Sequence, residues 1–151
     1  MLVLYFAIGP QRCAIESRVV IEVTPRVQLA AAALAPAHVA GFFNFRGAIV
    51  PVIDLCRLFL ERPCRDAFST RIVVVRYPEA NGCGRPLGLL AEGVVSTGKI
   101  NPTKLKDAGL AIPNAPFLGQ VHAQEQAIVQ FVRVEQLLTA ELKSILFQDR
   151  P

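Results

Sequence analysis

Short apolar runs rich in Val, Ile and Leu recur along this chain, and turn residues separate them. Clear examples are residues 2–8, 72–75 and 127–132, while the 11 prolines and 10 glycines are spread through all 151 residues. Runs of this length, bounded by turn residues, are typical of β-strands and too short for most helices. The pattern predicts a mainly β protein. Charged residues make up only 19% of the chain, which suggests that some apolar surface stays exposed for partners.

The order of these runs repeats once. Each cycle has a strand, a glycine-bearing turn, a second strand, a long irregular stretch and an Ala-Ile-Val run that leads into a helix. A unit of about seventy residues buries too little surface to be stable alone. We therefore expect two related small barrels in tandem that share an interface. Within one domain of residues 1–151, the expected parts are about 1–65, about 66–132 and a C-terminal helix at about 133–148.

The segment Gly-Phe-Phe-Asn-Phe-Arg-Gly at residues 41–47 combines one arginine with three phenylalanines between two glycines. A charge among aromatic rings is costly unless it has a fixed partner. The candidate partner of Arg46 is Glu22, which lies in the strand-like run 19–23. We expect Asn44 to bond the backbone of a turn. The pair Glu22–Arg46 would then lie at the mouth of the junction between the barrels, where a partner could dock.

The run that follows this segment carries two further local signals. Pro51 lies inside it, which indicates an edge strand or a bulge. Asp54 is well suited to cap a short helix that begins at Leu55. We interpret Asp54 as structural.

Sequence signals for catalysis are weak. Residues 93–100 resemble a phosphate-binding loop, but Ile100 stands where a hydroxyl is needed and Pro102 prevents the following helix. The two histidines, His38 and His122, lie in no recognisable catalytic motif, and His122 has the surroundings of a turn. Cys56 is most simply a small core residue. We expect no enzymatic activity, although a cysteine-dependent enzyme stays an open alternative.

The four cysteines form no Cys-x-x-Cys pair, and no histidine stands at metal-ligand spacing. We therefore expect no metal and no other cofactor.

The basic residues behind the net charge of +4 are scattered along the chain, and there is no tryptophan. Nucleic-acid binding is therefore poorly supported. A small barrel that binds nucleic acid or a small ligand stays the second hypothesis. The apolar start of the chain is too short to span a membrane, which predicts a cytoplasmic protein.

The motif around Arg46 resembles the CheW family, the adaptor proteins of bacterial chemosensory arrays. The matching residues, in the family's register, are Gly41, Asn44, Arg46, Gly47, Pro51, Asp54 and Leu55, with Glu22 on an early strand. The resemblance extends over essentially the whole chain. It implies two packed five-stranded SH3-like barrels, a C-terminal helix and no catalytic activity.

By this resemblance, the protein couples methyl-accepting chemoreceptors to a CheA-type histidine kinase, in chemotaxis or a related signal-transduction pathway. The implied partners are the regulatory domain of the kinase and the cytoplasmic tip of the receptors. The protein would be recruited to receptor arrays without entering the membrane. In this resemblance Gly41 and Asn44 set the turn that presents Arg46. The implied receptor- and kinase-binding residues are Val20, Glu22, Gly41, Asn44, Arg46, Gly47, Ile72 and Val73.

Overall fold

The computed structural model describes residues 1–79, 82–107, 120–124 and 127–147, and these form a mainly β structure. The predicted fold class is confirmed. The strands are β1 (Leu2–Ile8), β2 (Gln11–Glu16), β3 (Val20–Pro25), β4 (Val39–Phe45), β5 (Ala48–Asp54), β6 (Arg71–Tyr77), β7 (Arg85–Lys99), β8 (Lys106–Asp107), β9 (Gln120–Gln124) and β10 (Ala127–Val132). The helices are α1 (Leu55–Leu60) and α2 (Ala140–Leu146), and short 3-10 turns cover Ser17–Val19, Pro102–Lys104 and Val134–Gln136.

The long strand β7 joins two halves of a continuous sheet. Its first part pairs with β5 and β6, and its last part pairs with β1. The first half has the strand order β4-β5-β7-β6-β3, and the second has the order β7-β1-β2-β10-β9-β8. In the described residues the sheet does not close on itself. The glycines at 88, 93 and 98 predict a long bent or bulged strand over residues 87–100. The register of β7 with β1 shifts between Tyr5 and Ala7, opposite Gly93 at φ 60°, so this bend is present.

The two Ala-Ile-Val runs have equivalent places in the two halves. The run at 48–50 opens β5, which pairs in parallel with β7, and the run at 127–129 opens β10, which pairs in parallel with β2. All the other pairings between the described strands are antiparallel. The internal repeat that the sequence indicates is therefore visible in the topology.

The two halves are interleaved along the chain, and the expected division near residue 65 does not coincide with them. The first two strands pair with β7 and β10 from the far end of the chain, while β3 to β6 form the first half. The repeat indicates the order of the elements. It does not indicate which strand edges bond, because strands that are consecutive along the chain pair in most sheets but not in all.

Three apolar clusters fill the structure. The first is shared, with residues from both halves and from the C-terminal segment, including Phe6, Ile15, Val73, Leu89, Val132 and Leu142. The second lies only in the second half and contains Val3, Tyr5, Ala14, Ile100, Val129 and Phe131. The third lies only in the first half and contains Val52, Ile72, Val74 and Leu90. Each half thus has its own small core, and the expected shared interface is present between them.

The C-terminal segment is broken where a single helix at 133–148 was expected. A 3-10 turn covers Val134–Gln136, and α2 begins only at Ala140. Thr139 causes the restart, since its hydroxyl accepts a hydrogen bond from the backbone N–H of Leu142 at 3.2 Å. The apolar stripe still packs as expected, because Val134, Leu138 and Leu142 lie in the shared core.

One further sequence interpretation is wrong. His122 lies in strand β9, opposite Val129 of β10, and not in a turn. The sequence also predicts a loop over residues 101–116. Its first part contains the 3-10 turn Pro102–Lys104 and β8, and residues 108–116 lie outside the described part.

A buried carboxylate ties the loop after α1 to β7. Glu92 accepts hydrogen bonds from the Arg62 guanidinium at 3.2 and 3.3 Å and from the backbone N–H of Arg65 at 2.7 Å. Burial alone would raise the pKa of Glu92, but these hydrogen bonds outweigh it and lower the pKa to about 2. The charged form of Glu92 therefore stabilises the folded state.

The first testable prediction concerns the dependence of stability on pH. At neutral pH we expect Glu92→Gln to lower the free energy of unfolding by roughly 2–3 kcal/mol, because the ionised carboxylate is favoured only in the folded chain. The difference in free energy of unfolding between the unaltered chain and Glu92→Gln should shrink as the pH falls from 4.5 towards 2. The first value is the ordinary pKa of a glutamate, and near the second Glu92 takes up a proton in the folded chain. Urea unfolding across this pH window measures the effect. The exposed Glu61→Gln is the control, and an equal pH dependence in both variants would contradict the assignment.

Candidate functional site

The turn between β4 and β5 holds an arginine in an unfavourable backbone conformation. Phe45 and Ala48 form the last strand pair, and the two turn residues have positive φ angles, 52° for Arg46 and 86° for Gly47. Asn44 stabilises this turn as expected, since its side-chain oxygen accepts a hydrogen bond from the backbone N–H of Gly47 at 2.9 Å. Tight hairpin turns with two positive φ angles favour Asn or Gly in the first position. An arginine is costly in this position.

The side chain of Arg46 folds back across the sheet. Its Nη2 atom lies 3.1 Å from Oε1 of Glu22, and its guanidinium carbon lies 4.8 Å from the centre of the Phe45 ring. The predicted pairing of Arg46 with Glu22 is thus confirmed. The two side chains are 65% and 41% exposed, so the pair is screened by water and contributes little to stability. Stability therefore does not account for the arginine, and an outlier of this kind points to a function.

A groove lies beneath this ion pair. Strands β3 and β4 are the two outer strands of the first half, and the Glu22–Arg46 pair joins them across the opening of the unclosed sheet. The groove has a volume of about 520 Å³. It is lined by Glu22, Thr24, Val27, Gln28, Ala30, Phe42, Phe43, Asn44, Phe45 and Arg46. The lining is therefore mostly apolar, with the polar side chains of Thr24, Gln28 and Asn44 and one pair of opposite charges.

The groove does not lie at the junction of the two halves, as the sequence had suggested. All of its lining residues fall between positions 22 and 46, and none comes from the second half. The reason is that Arg46 occupies the tip of the β4–β5 hairpin, whereas the shared core lies on the other face of the sheet, where Val73 and Leu89 are found. The opening of a single half forms the groove.

Gly41 shapes one wall of the groove and does not set the turn that presents Arg46. It lies inside β4, with φ at 142°. Next to it, the backbones of Ala30 and Phe42 exchange two hydrogen bonds of 2.9 Å. A Cβ atom on Gly41 would lie 2.3 Å from the carbonyl oxygen of Ala30. Only glycine allows the loop that carries Val27 and Ala30 to lie so close to β4.

The remaining candidate residues lie under the surface. Val20 is half-buried against the shared core, and Ile72 and Val73 are fully buried. Ile72 belongs to the small core on which Phe43 and Phe45 pack. Val73 points the opposite way, into the shared core. Any influence of these three residues on a partner must therefore act through the packing beneath the groove.

Sequence reasoning missed the outer wall of the groove, formed by Thr24, Val27, Gln28 and Ala30. The stretch from residue 30 to 35 has no feature of its own, being mostly alanine. The only local signal was Gly41, whose missing side chain makes room for this wall.

The structure does not support catalysis by the glycine-containing segment 93–100 or by three of the four cysteines. Residues 93–99 continue strand β7, so the likeness to a phosphate loop is accidental. Burial raises the pKa of the Cys13 thiol to about 12 and also raises the pKa values of Cys56 and Cys64. These three thiols stay protonated at neutral pH, the opposite of what a cysteine nucleophile requires.

Fold and site together define a mainly β domain of two packed halves with an exposed groove in the first half. The profile of the CheW-like domain matches residues 2–142, and the chain belongs to that family. Among solved structures, the scaffolding protein TtCheW from Thermoanaerobacter tengcongensis has a similar fold, with a TM-score of 0.79 and 19% sequence identity. That match covers 92% of this chain and 88% of TtCheW. None of the described helices is long and apolar enough to cross a membrane.

The second prediction tests the role of Gly41. We expect Gly41→Ala to lower the free energy of unfolding by about 2–4 kcal/mol, because the new methyl group meets the Ala30 carbonyl. Gly47→Ala, which meets nothing within 4 Å, should cost about 1 kcal/mol through its positive φ angle alone. Denaturant unfolding of both variants provides the comparison. Equal losses would show that the contact between Ala30 and β4 is not maintained in solution.

Proposed function

We propose that this protein is a non-catalytic adaptor that couples methyl-accepting chemoreceptors to a CheA-type histidine kinase. The observation that carries the proposal is the strained Arg46, held over an open apolar groove in a chain of the CheW-like family. The receptor tip is the partner that we assign to this groove. The protein acts in the cytoplasm and reaches the membrane only through its receptors.

The chemistry of the groove suits a protein surface with apolar side chains. Phe42, Phe43, Phe45 and Val27 offer apolar contact, and aromatic residues with an arginine commonly dominate binding energy at such interfaces. At the rim, the charges of Glu22 and Arg46 are only partly satisfied by each other because both remain exposed to water. A partner can thus add hydrogen bonds to either charge without leaving a buried charge unpaired.

An adaptor must also transmit a conformational change between its partners. Coupling between two sites requires a structure that keeps their relative position defined. Here strand β7 runs through both halves, and the shared core packs them together. The groove in the first half is therefore firmly connected to the second half.

No observation favours the alternative of a nucleic-acid-binding barrel. Within the groove the single arginine faces a glutamate, so the lining carries no excess positive charge for phosphates. We also assign no catalytic step to the protein.

The third prediction concerns Arg46. Asparagine adopts a positive φ angle readily, so Arg46→Asn should leave the hairpin and the melting temperature nearly unchanged. We expect it to reduce receptor binding by about 10-fold or more, since interface arginines are frequent hot spots. Pull-down of purified protein with receptor fragments and with the CheA-type kinase measures the loss. The exposed Arg57→Ala on α1 is the matched control, and full receptor binding by a folded Arg46→Asn variant would disprove the assigned site.

The fourth prediction concerns the pair of charges. Glu22→Arg places two positive charges together at the rim, and we expect it to abolish receptor binding while lowering stability by about 1 kcal/mol or less. Adding Arg46→Glu to the same chain restores an ion pair in which the two charges have exchanged places, and it should recover part of the binding. A loss of binding free energy in the double variant equal to the sum of the losses in the two single variants would contradict this. In that case the two residues act independently and the ion pair has no role in recognition.

A further inference from the structure

Three metal-ligating side chains lie together where β5 ends and α1 begins, apart from the groove. They are Asp54, Cys56 and Cys64, and one ligand atom of each lies within 4.8 Å of the others. Asp54 and Cys56 are buried, and Cys64 is half-buried. The Cys64 sulfur lies 3.2 Å from Oδ1 of Asp54. The three donor atoms are thus close enough together to be bound by one ion.

The carboxylate of this cluster is held firmly in place. Its Oδ1 atom accepts hydrogen bonds from the backbone N–H groups of Cys56 at 2.9 Å and Arg57 at 3.1 Å, and its Oδ2 atom accepts one from Cys64 at 3.1 Å. The same contacts hold the loop with Cys64 against α1. Outer hydrogen bonds that orient a carboxylate are a regular feature of metal sites in proteins, because they arrange the ligand before the ion arrives.

A divalent cation can enter the cluster without changing its net charge. Arg62 and Arg65 lie 3.2 and 3.8 Å from the carboxylate of Glu92, which also accepts a hydrogen bond from the backbone N–H of Arg65, the residue after Cys64. A divalent cation that replaces two thiol protons leaves the net charge of the cluster unchanged. The entry of the ion therefore avoids the cost of an uncompensated buried charge.

We propose that Asp54, Cys56 and Cys64 bind one thiophilic divalent cation of the zinc type. In this exchange the cation forms bonds to two sulfurs, and the two thiol protons leave to solvent, with no oxidation. Two thiolates and a carboxylate oxygen suit Zn²⁺, and three protein ligands leave a fourth position for water. This site is independent of the groove and of the adaptor role.

The fifth prediction is metal binding by the reduced, chelator-treated chain. Cd²⁺, used as a probe of thiolate ligands, should bind one ion per chain with a sulfur-to-metal absorption band in the ultraviolet. Zn²⁺ should compete for this ion and raise the melting temperature. Calorimetry in buffers of different ionisation enthalpy should show the release of two protons per ion at neutral pH.

The other two cysteines supply matched controls. Cys83→Ser and Cys13→Ala should retain full binding, while Cys56→Ser and Cys64→Ser should each weaken it by more than about 10-fold. Circular dichroism verifies that each variant is folded, and the half-buried position of Cys64 makes its serine variant the safer test. Unchanged affinity in Cys64→Ser would overturn the proposal. So would absence of the absorption band, or formation of a Cys56–Cys64 disulfide in a chain that binds no ion.

Discussion

The bend in strand β7 is the constraint on which the rest of the structure depends. This strand of 15 residues contributes its first part to one half of the sheet and its last part to the other. At Gly93 the chain takes a positive φ angle, where a Cβ atom would come within 3.2 Å of the Ala7 side chain. The register shift opposite this point turns the sheet, so that both halves can place apolar side chains into one shared core. Without the bend, each half would be left with only its small core.

The open edge of the first half is a consequence of this arrangement. Because β7 pairs with β5 on one side and β6 on the other, β4 and β3 become the outer strands. Within the described part of the chain, side chains and the loop at 26–30 line the space between them. Unpaired strand edges invite association with other chains. In this protein the ion pair of Glu22 with Arg46 covers the opening and places one negative and one positive charge there. The strain at Arg46 is consistent with selection for binding, since a glycine or asparagine would form the turn at lower cost.

The sequence allowed a good prediction wherever a feature depends on neighbours along the chain. The cap by Asp54, the turn bond of Asn44 and the bent strand all follow from local rules for backbone groups, and all are present. The pairing of Glu22 with Arg46 was predictable for a different reason. A charge among phenylalanines needs a partner, and few acidic residues were available nearby. The CheW-like family was recognisable because its central motif is itself such a local segment.

Features that join distant segments could not be predicted in the same way. The parallel pairing of β2 with β10 brings together residues more than a hundred positions apart, and it interleaves the two halves that the repeat had suggested were consecutive. The wall of the groove at Val27 and Ala30 has no sequence signature, since alanines and a valine acquire a role only by contact with β4. The approach of Cys64 to Cys56 depends likewise on the path of a loop.

By itself, then, the sequence determined the strand-rich fold class, the family and the two charges of the site. The reason is that the spacing of apolar residues, the turn residues and a costly arginine are all properties of short segments. Only the tertiary structure decided where the groove lies, which strands border it and which thiols meet a carboxylate. Those properties arise when long-range strand pairing and burial of the shared core place distant residues side by side, and their free energies depend on the whole chain.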